Sequence, residues 1–491
     1  MPLTRREFLL ASLTASALPA QARRPNILFA IADDWGWPHA GAYGVDWVKT
    51  PAFDRVAREG VLFTNCFTSN PKCSPCRASI LTGRNTWQLG EAINHFGVFP
   101  ATWSVYPDLL EAAGYHVGYT GKGWGPGDHE AGGFKRNPAG PEYNKRTLDA
   151  PFRAISPRDY AANFDDFLDA RGAGKPFSFW FGTHEPHRAY EDGAGEKTRK
   201  DPRAVDVPKF YPDSETIRRD LTDYAVEVEW FDTHLGKILK KIEQIGELDN
   251  TLVLVTSDHG MPFPRVKGQI YEYGFHLPLA VRWGGTKAGR KVDDFINVRD
   301  FAPTFLEAAG VDVPESITGT SFVDVLKSGD SGQVDASRNR MLVGKERHDL
   351  GRPNDEGYPV RAIRTPEWLY IRNYEPDRWP AGNPETGYRN CDGSPTKSAI
   401  LGKFDEYYRM SFGKRPPEEL YRVSQDPECV KDLANDQQYW PIKSKLRDEM
   451  EAALKAEADP RSLGRADIFD TYRYTGRRTH SFEAWEANHK P

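Results

Sequence analysis

Three short apolar runs, none of them alternating with polar positions, set the frame of the chain. Residues 25–32 read Pro-Asn-Ile-Leu-Phe-Ala-Ile-Ala and end in Asp33-Asp34. Residues 176–181 read Pro-Phe-Ser-Phe-Trp-Phe and lead into His184-Glu185-Pro186-His187-Arg188. Residues 251–256 read Thr-Leu-Val-Leu-Val-Thr and lead into Ser257-Asp258-His259-Gly260. Runs this short and continuous predict strands buried on both faces. Between them, apolar positions recur at helical spacing over 50–59, 106–113 and 221–245. Strands alternating with helices predict an α/β domain with a large, mostly parallel sheet. Ligands of such sheets bind at the carboxyl ends of the strands. All three runs carry their polar residues there.

Residues 299–310 read as a capped helix stopped by Gly310, and the polar stretch 326–339 then places a boundary. The expected organisation is a larger domain over 23–338 and a smaller α+β lobe over 339–491. The lobe should hold an antiparallel sheet, with strand-like pieces at 360–365 and 368–374 and an amphipathic helix over 440–456. At 491 residues the chain is too long for one small core.

Residues 1–22 look like a targeting segment. Arg5-Arg6 precede an apolar stretch over 8–18, and Ala20-Gln21-Ala22 supplies a small-x-small cleavage pattern. Paired arginines predict export by the twin-arginine route to the periplasm or the exterior. No later segment approaches the ~20 apolar residues of a membrane span. A net charge of -5 and a pI near 6.2 exclude the basic field of a nucleic-acid binder. The 12% aromatic content suits either a sugar-facing surface or a large core. Five cysteines in an exported chain leave one unpaired, and up to two disulfides are allowed.

The chemistry concentrates at Cys73-Ser74-Pro75-Cys76-Arg77, followed by Leu81-Thr82-Gly83. Taken alone, Cys73 and Cys76 also fit a redox pair or two small core residues. Asp33-Asp34 and Asp258-His259 lie more than two hundred residues apart, yet each closes a core strand. Carboxylates gathered at one sheet edge repel unless a cation holds them, and oxygen ligands favour Ca²⁺ or Mg²⁺.

Four blocks in order resemble the sulfatase family: the Asp33-Asp34 strand end, the run from Cys73 to Gly83, Gly118-Tyr119-Thr120-Gly121-Lys122, and Ser257-Asp258-His259-Gly260 with Lys267 beyond it. No redox motif explains that set. The resemblance implies an alkaline-phosphatase-like α/β/α sandwich in which Cys73 is oxidised to formylglycine by a formylglycine-generating enzyme. It implies that Asp33, Asp34, Asp258, His259 and modified Cys73 hold a divalent cation, Ca²⁺ before Mg²⁺. Arg77 would steady the formylglycine hydrate and the carboxylates. Lys122 and Lys267 would bind sulfate oxygens, and His187 would protonate the leaving group. Two positions depart from the family pattern. Residue 259 is His where relatives also carry Asn, and Trp124 stands where a histidine is usual, with His95 or His129 as substitutes.

Some details resemble the sulfamidase branch, which cleaves N-linked sulfate from glucosamine in heparan chains. His184 to Arg188, Asp258 to Pro264, and Glu346-Arg347-His348 carry that resemblance. It implies substrate contacts from His184, Arg188, Glu346 and His348. The competing expectation for Glu346 to His348 is a solvated set of surface ion pairs. Lys267 is closer to general sulfatases. The expected substrate is a glycosaminoglycan-type sulfated saccharide, with algal, mucin-type or aryl sulfates as alternatives, and a homodimer is allowed. Two rivals from other classes are a phosphate or phosphonate monoester hydrolase on the same fold and a sugar-binding protein whose Cys73 stays a thiol.

Overall fold

The computed structural model describes residues 23–403 and 405–489, so the segment 1–22 with its paired arginines lies outside the described residues. The large sheet comprises β1 (Asn26–Ala32), β2 (Val61–Phe67), β3 (His116–Gly121), β4 (Phe177–Gly182), β5 (Thr251–Ser257), β6 (His276–Arg282) and β7 (Arg290–Asn297). Its seven strands run in the order β3-β4-β1-β5-β6-β2-β7. All neighbours are parallel except at β6, which is antiparallel to both β5 and β2.

The apolar runs behave as their composition demands. Every residue of β1, β4 and β5 is buried. Side chains alternate across the pleat, so Leu28, Ala30 and Ala32 enter one core while Ile27, Phe29 and Ile31 enter the other. The first core is closed by the helices Pro51–Glu59, Tyr160–Asp169 and Glu215–Gln244, and the second by Cys73–Thr82, Tyr106–Ala112 and Phe301–Ala308. The result is an α/β/α sandwich.

The second sheet has the order β11-β10-β9-β8, all antiparallel, from β8 (Met341–Lys345), β9 (Val360–Arg364), β10 (Leu369–Asn373) and β11 (Glu418–Tyr421). One face, through Leu342, Ile363, Tyr370 and Leu420, meets the helix Trp440–Ala456. The other, through Val343, Ala362 and Ile371, packs on Phe67, Phe275 and Phe295 of the large domain. Two boundaries differ from the sequence reading. The long helix starts at Glu215 rather than 221, because Ile217 is already buried in the first core. The helix expected from 299 opens with a 3-10 turn, Val298–Asp300, capped by Asn297. Among the described residues no helix is long and apolar enough to cross a membrane.

Candidate active site

The register of β1 on β5 sets Ala32 beside Ser257, so Asp33-Asp34 and Asp258-His259 emerge at the same edge. Polar bonds lace the two ends together. Asp34 N donates to Asp258 Oδ1 at 3.1 Å, and Trp35 N to Ser257 Oγ at 2.8 Å. Asp34 is held at φ 75°, a left-handed conformation that a non-glycine residue keeps only where its surroundings over-determine it. The end of β4 joins the same edge, since Asp33 N donates to the Glu185 carbonyl at 3.1 Å.

Cys73 is the first residue of the helix Cys73–Thr82, and all ten of its residues are buried. Its Sγ lies 3.3 Å from His259 Nε2 and 4.0 Å from Asp34 Oδ1. Arg77, one helical turn on and therefore on the same face, donates to Asp258 Oδ2 at 2.9 Å and Asp33 Oδ1 at 3.3 Å. It also donates to the carbonyls of Lys122 and Gly123. Its fork is thus committed to positioning the carboxylates. Lys122 reaches Asp33 at 2.6 Å because Gly121 takes φ 76° against the Gly182 carbonyl, where an added Cβ would sit 1.8 Å from that oxygen. Lys267 lies 2.6 Å from Asp34 Oδ2.

These charges set the protonation states. Burial pushes the Cys73 thiol up and Asp33 adds to that, but Lys122, His259 and Lys267 together hold it well below the ordinary thiol range. Burial likewise opposes ionisation of Asp33, yet Lys122 and Arg77 keep its carboxyl well below the carboxylate range. Asp258 goes the other way, raised by burial and by the charge of Asp33. Burial alone would lower His259, but Asp258 and Asp34 pull it well above the imidazole range.

The donor set fits a divalent cation. Ligand atoms of Asp33, Asp34, Cys73 and His259 all lie within 4.8 Å of one another, and all four residues are buried. His259 Nδ1 is 3.0 Å from the Gly260 carbonyl, which turns Nε2 toward the carboxylates, where it would exchange its proton for a cation. Asp258, expected among the ligands, borders this set with Oδ1 3.7 Å from His259 Nε2; that oxygen accepts from Asp34 N and the other from Arg77.

Two adjoining cavities open over this cluster. The inner one, about 600 Å³, is lined by Asp33, Cys73, Lys122, His184, His187 and Arg188 among others. The outer one, about 580 Å³, reaches Lys72 and Lys267, and both share His95, Phe96 and His187. His187 Nδ1 is 2.6 Å from the Arg188 carbonyl, while its Nε2 has no hydrogen-bond partner among the described residues. His184 lines the inner cavity, paired with Arg158, and burial lowers its pKa to about 3. Arg188 forms wall rather than contact, since its fork is filled by Asp220 at 2.8 Å on both nitrogens and by the Pro262 carbonyl.

Two further expected substrate contacts are corrected. Glu346 is 3% exposed and lies in an internal network, 2.8 Å from Arg361 and 2.7 Å from Arg461. Its charge is spent on holding β8 and β9 to the segment that follows the helix Trp440–Ala456. His348 is buried beneath the Lys267-Gly268 turn, its Nε2 2.8 Å from Asn70 Oδ1, and it reaches neither cavity. The ion pairs expected as the alternative do form at Glu346, but inside the protein rather than on its surface. Of the two substitutes for the family histidine, His95 lines both cavities and lies 2.7 Å from Asp349. His129 instead packs its ring on Trp124, whose Nε1 donates to the Ser74 carbonyl. No disulfide forms: all five cysteines are free, and Cys76 is a buried thiol pushed up by burial.

Sequence reasoning missed Lys72, which pairs with Asp349 at 2.9 Å, and Asp392, which lies 3.0 Å from Lys267. Adjacency to Cys73 was the one signal for Lys72; Asp392 had none. It also missed Glu227, a buried residue of the inner cavity wall whose Oε2 has no hydrogen-bond partner among the described residues. Burial, with Glu185 and Asp223 nearby, pushes that carboxyl up from 4.5 to about 9. A folded pKa above the unfolded one gives stability that is full at low pH and lost as pH rises toward the folded value. Glu227→Gln should therefore lose less melting temperature than the unsubstituted protein between pH 4.5 and 9. Identical pH profiles would contradict this.

Such an edge receives an anionic group and holds it among cations beside Cys73, as a hydrolase of anionic esters requires. The chain belongs to the sulfatase family, whose model matches residues 25–311, and it is a sulfatase. A second model, described as N-sulphoglucosamine sulphohydrolase, C-terminal, matches residues 263–379. An ulvan-active sulfatase of Formosa agariphila is 30% identical over 447 residues, covering 90% of this chain and 82% of its own. The human N-sulphoglucosamine sulphohydrolase is 28% identical over 480 residues, covering 88% of this chain and 90% of its own. Among solved structures, BT4656 in complex with its substrate D-glucosamine-2-N,6-O-disulfate superposes with a TM-score of 0.63 at 22% identity. That match covers 89% of this chain and 98% of that one.

Proposed function

We propose that this sulfatase releases inorganic sulfate from a sulfated saccharide of glycosaminoglycan type, with N-sulfoglucosamine the favoured unit, and that Cys73 works as formylglycine. The observation that carries the chemistry is the placement of Cys73 at a helix start between Lys122, Lys267 and His259. The match of the C-terminal region to the sulphoglucosamine model and to the human relative supports the substrate. A second reading, an ulvan-type polysaccharide, is favoured by the 30% identical relative from Formosa agariphila. Paired arginines at 5 and 6 support export by the twin-arginine route, with maturation by a formylglycine-generating enzyme before translocation.

A formylglycine hydrate at 73 would supply the oxygen nucleophile, and a divalent cation, which Asp33, Asp34, His259 and residue 73 would hold, would supply positive charge beside it. Lys122 and Lys267 neutralise the incoming sulfate, which would otherwise repel an anionic nucleophile among carboxylates. Arg77 fixes Asp33 and Asp258 so that the charges keep their places. His187 donates its Nδ1 proton to the Arg188 carbonyl, which leaves Nε2 to carry a proton to the leaving oxygen or nitrogen.

Removing the cation with a chelator should abolish activity and lower the melting temperature, and added Ca²⁺ should restore both. A ligand at a hundredfold its Kd stabilises by about 2.7 kcal/mol. An unchanged melting curve and full activity after chelation would argue against the cation.

The deciding experiment for substrate is sulfate release measured on N-sulfoglucosamine, O-sulfated glycosaminoglycan saccharides, ulvan oligosaccharides, an aryl sulfate and matched phosphate esters. Fastest turnover of N-sulfoglucosamine is expected. Turnover of ulvan or aryl sulfates with none of any glycosaminoglycan saccharide would refute the substrate, and preference for phosphate esters would refute the reaction.

A further inference from the structure

The outer cavity contains charge beyond what the cluster around Cys73 uses. Lys72, Lys267, Arg389 and Arg477 face two carboxylates, Asp349 and Asp392. Lys72 is taken by Asp349 at 2.9 Å, and Lys267 by Asp34 at 2.6 Å and Asp392 at 3.0 Å. Asp349 is further occupied by His95 at 2.7 Å. Arg389 and Arg477 are exposed and have no ion-pair or hydrogen-bond partner among the described residues. Two free guanidinium groups therefore stand at the mouth of a cavity that joins the reaction cavity at His95, Phe96 and His187.

Their backbones are built into place. The buried ammonium of Lys397 donates to the carbonyls of Tyr388 and Cys391, at 3.1 and 2.8 Å, on either side of Arg389. Arg477 belongs to the C-terminal tail, more than four hundred residues from Cys73 in the chain. The tail is tied down before it by Thr475, whose N and Oγ1 both donate to the Phe96 carbonyl at 2.8 Å. Arg347 holds the carbonyls of Tyr472 and Arg473, and Arg478 pairs with Asp355 just beyond. Tyr474 and His480 line the same cavity.

We propose that Arg389 and Arg477 form a second anion subsite, which reads a sulfate or carboxylate one sugar position outward from the sulfate that is cleaved. This deepens the proposed function and rests on it for the identity of the cleaved group. Guanidinium groups suit the task because their planar fork matches the oxygens of sulfate and carboxylate alike. A neutral sugar hydroxyl would not require two uncommitted positive charges. The substrate class is accordingly a polyanionic saccharide, not a singly sulfated sugar.

The test uses binding, so that it does not depend on turnover. In Cys73→Ala protein, dissociation constants would be measured by calorimetry for three probes. One is singly sulfated glucosamine, one is a heparin-derived disaccharide with an added uronate, and one is a disaccharide with an added sulfate. The protein should prefer the charged disaccharides, and Arg389→Gln with Arg477→Gln should cut that preference about 10-fold per residue, the scale of one charge-assisted hydrogen bond at an exposed site. Arg→Lys at each position should recover part of it, with melting temperatures unaltered. The two disaccharides show whether the subsite takes carboxylate or sulfate. No preference in the parent, or a preference untouched in the double Gln variant, would overturn the subsite. A preference lost in the double variant while the wild-type enzyme turns over no glycosaminoglycan saccharide would uphold the subsite and refute only the proposed function.

Discussion

Cys73→Ala should bind a sulfated substrate and release sulfate more slowly by about 10⁵-fold, the scale on which loss of a catalytic nucleophile is felt. The side chain is fully buried, so the change deletes one small polar group from a packed site and leaves the helix start intact. Asp34, Lys267 and Lys122 keep their pairs to one another and to Asp33 in its absence. Binding should persist because the anion is held by lysines rather than by residue 73. Sulfate release assayed on the favoured substrate, with calorimetric binding beside it, separates the two roles. Residual turnover within about 100-fold of wild type would mean that a different group attacks sulfur.

His187→Ala should show a loss that depends on the leaving group. On sugar sulfates and sulfamates, whose leaving oxygen or nitrogen needs a proton, kcat should fall about 10²- to 10⁴-fold, the range for a positioned general acid. On an aryl sulfate, whose phenolate leaves without one, the fall should stay below about 10-fold by the same reasoning. The structure motivates this split in two ways. The ring lies where the two cavities meet, and its Nδ1 contact with the Arg188 carbonyl leaves Nε2 for the proton. Equal losses on both kinds of substrate would assign His187 to binding rather than to proton transfer.

The framework was readable in the sequence because it depends on local pattern. A strand buried on both faces has to be continuously apolar, so β1, β4 and β5 were marked by composition alone. Parallel neighbours then had to carry Asp33-Asp34 and Asp258-His259 to one edge. Burial of charge could not be read in the same way. Glu346 and His348 have the composition of a binding segment, and only the fold shows that Arg361 and Arg461 enclose the one and the Lys267-Gly268 turn covers the other. Arg188, expected to touch substrate, lines the cleft with its fork filled by Asp220, which comes from a helix whose sequence gives no sign of it. Lys72, Asp392 and His95 meet only through loops distant in the chain, which no spacing encodes.

The account turns on the chemical state of residue 73, and mass spectrometry of the protein from its native host tests that most directly. Trypsin cuts after Lys72 and Arg77, so Cys73 and Cys76 fall in one short peptide. Conversion to formylglycine removes one sulfur and two hydrogens and adds one oxygen. The peptide should show that mass change and take up a single alkyl group, at Cys76. A peptide of unaltered mass that alkylates at both cysteines would contradict the central claim.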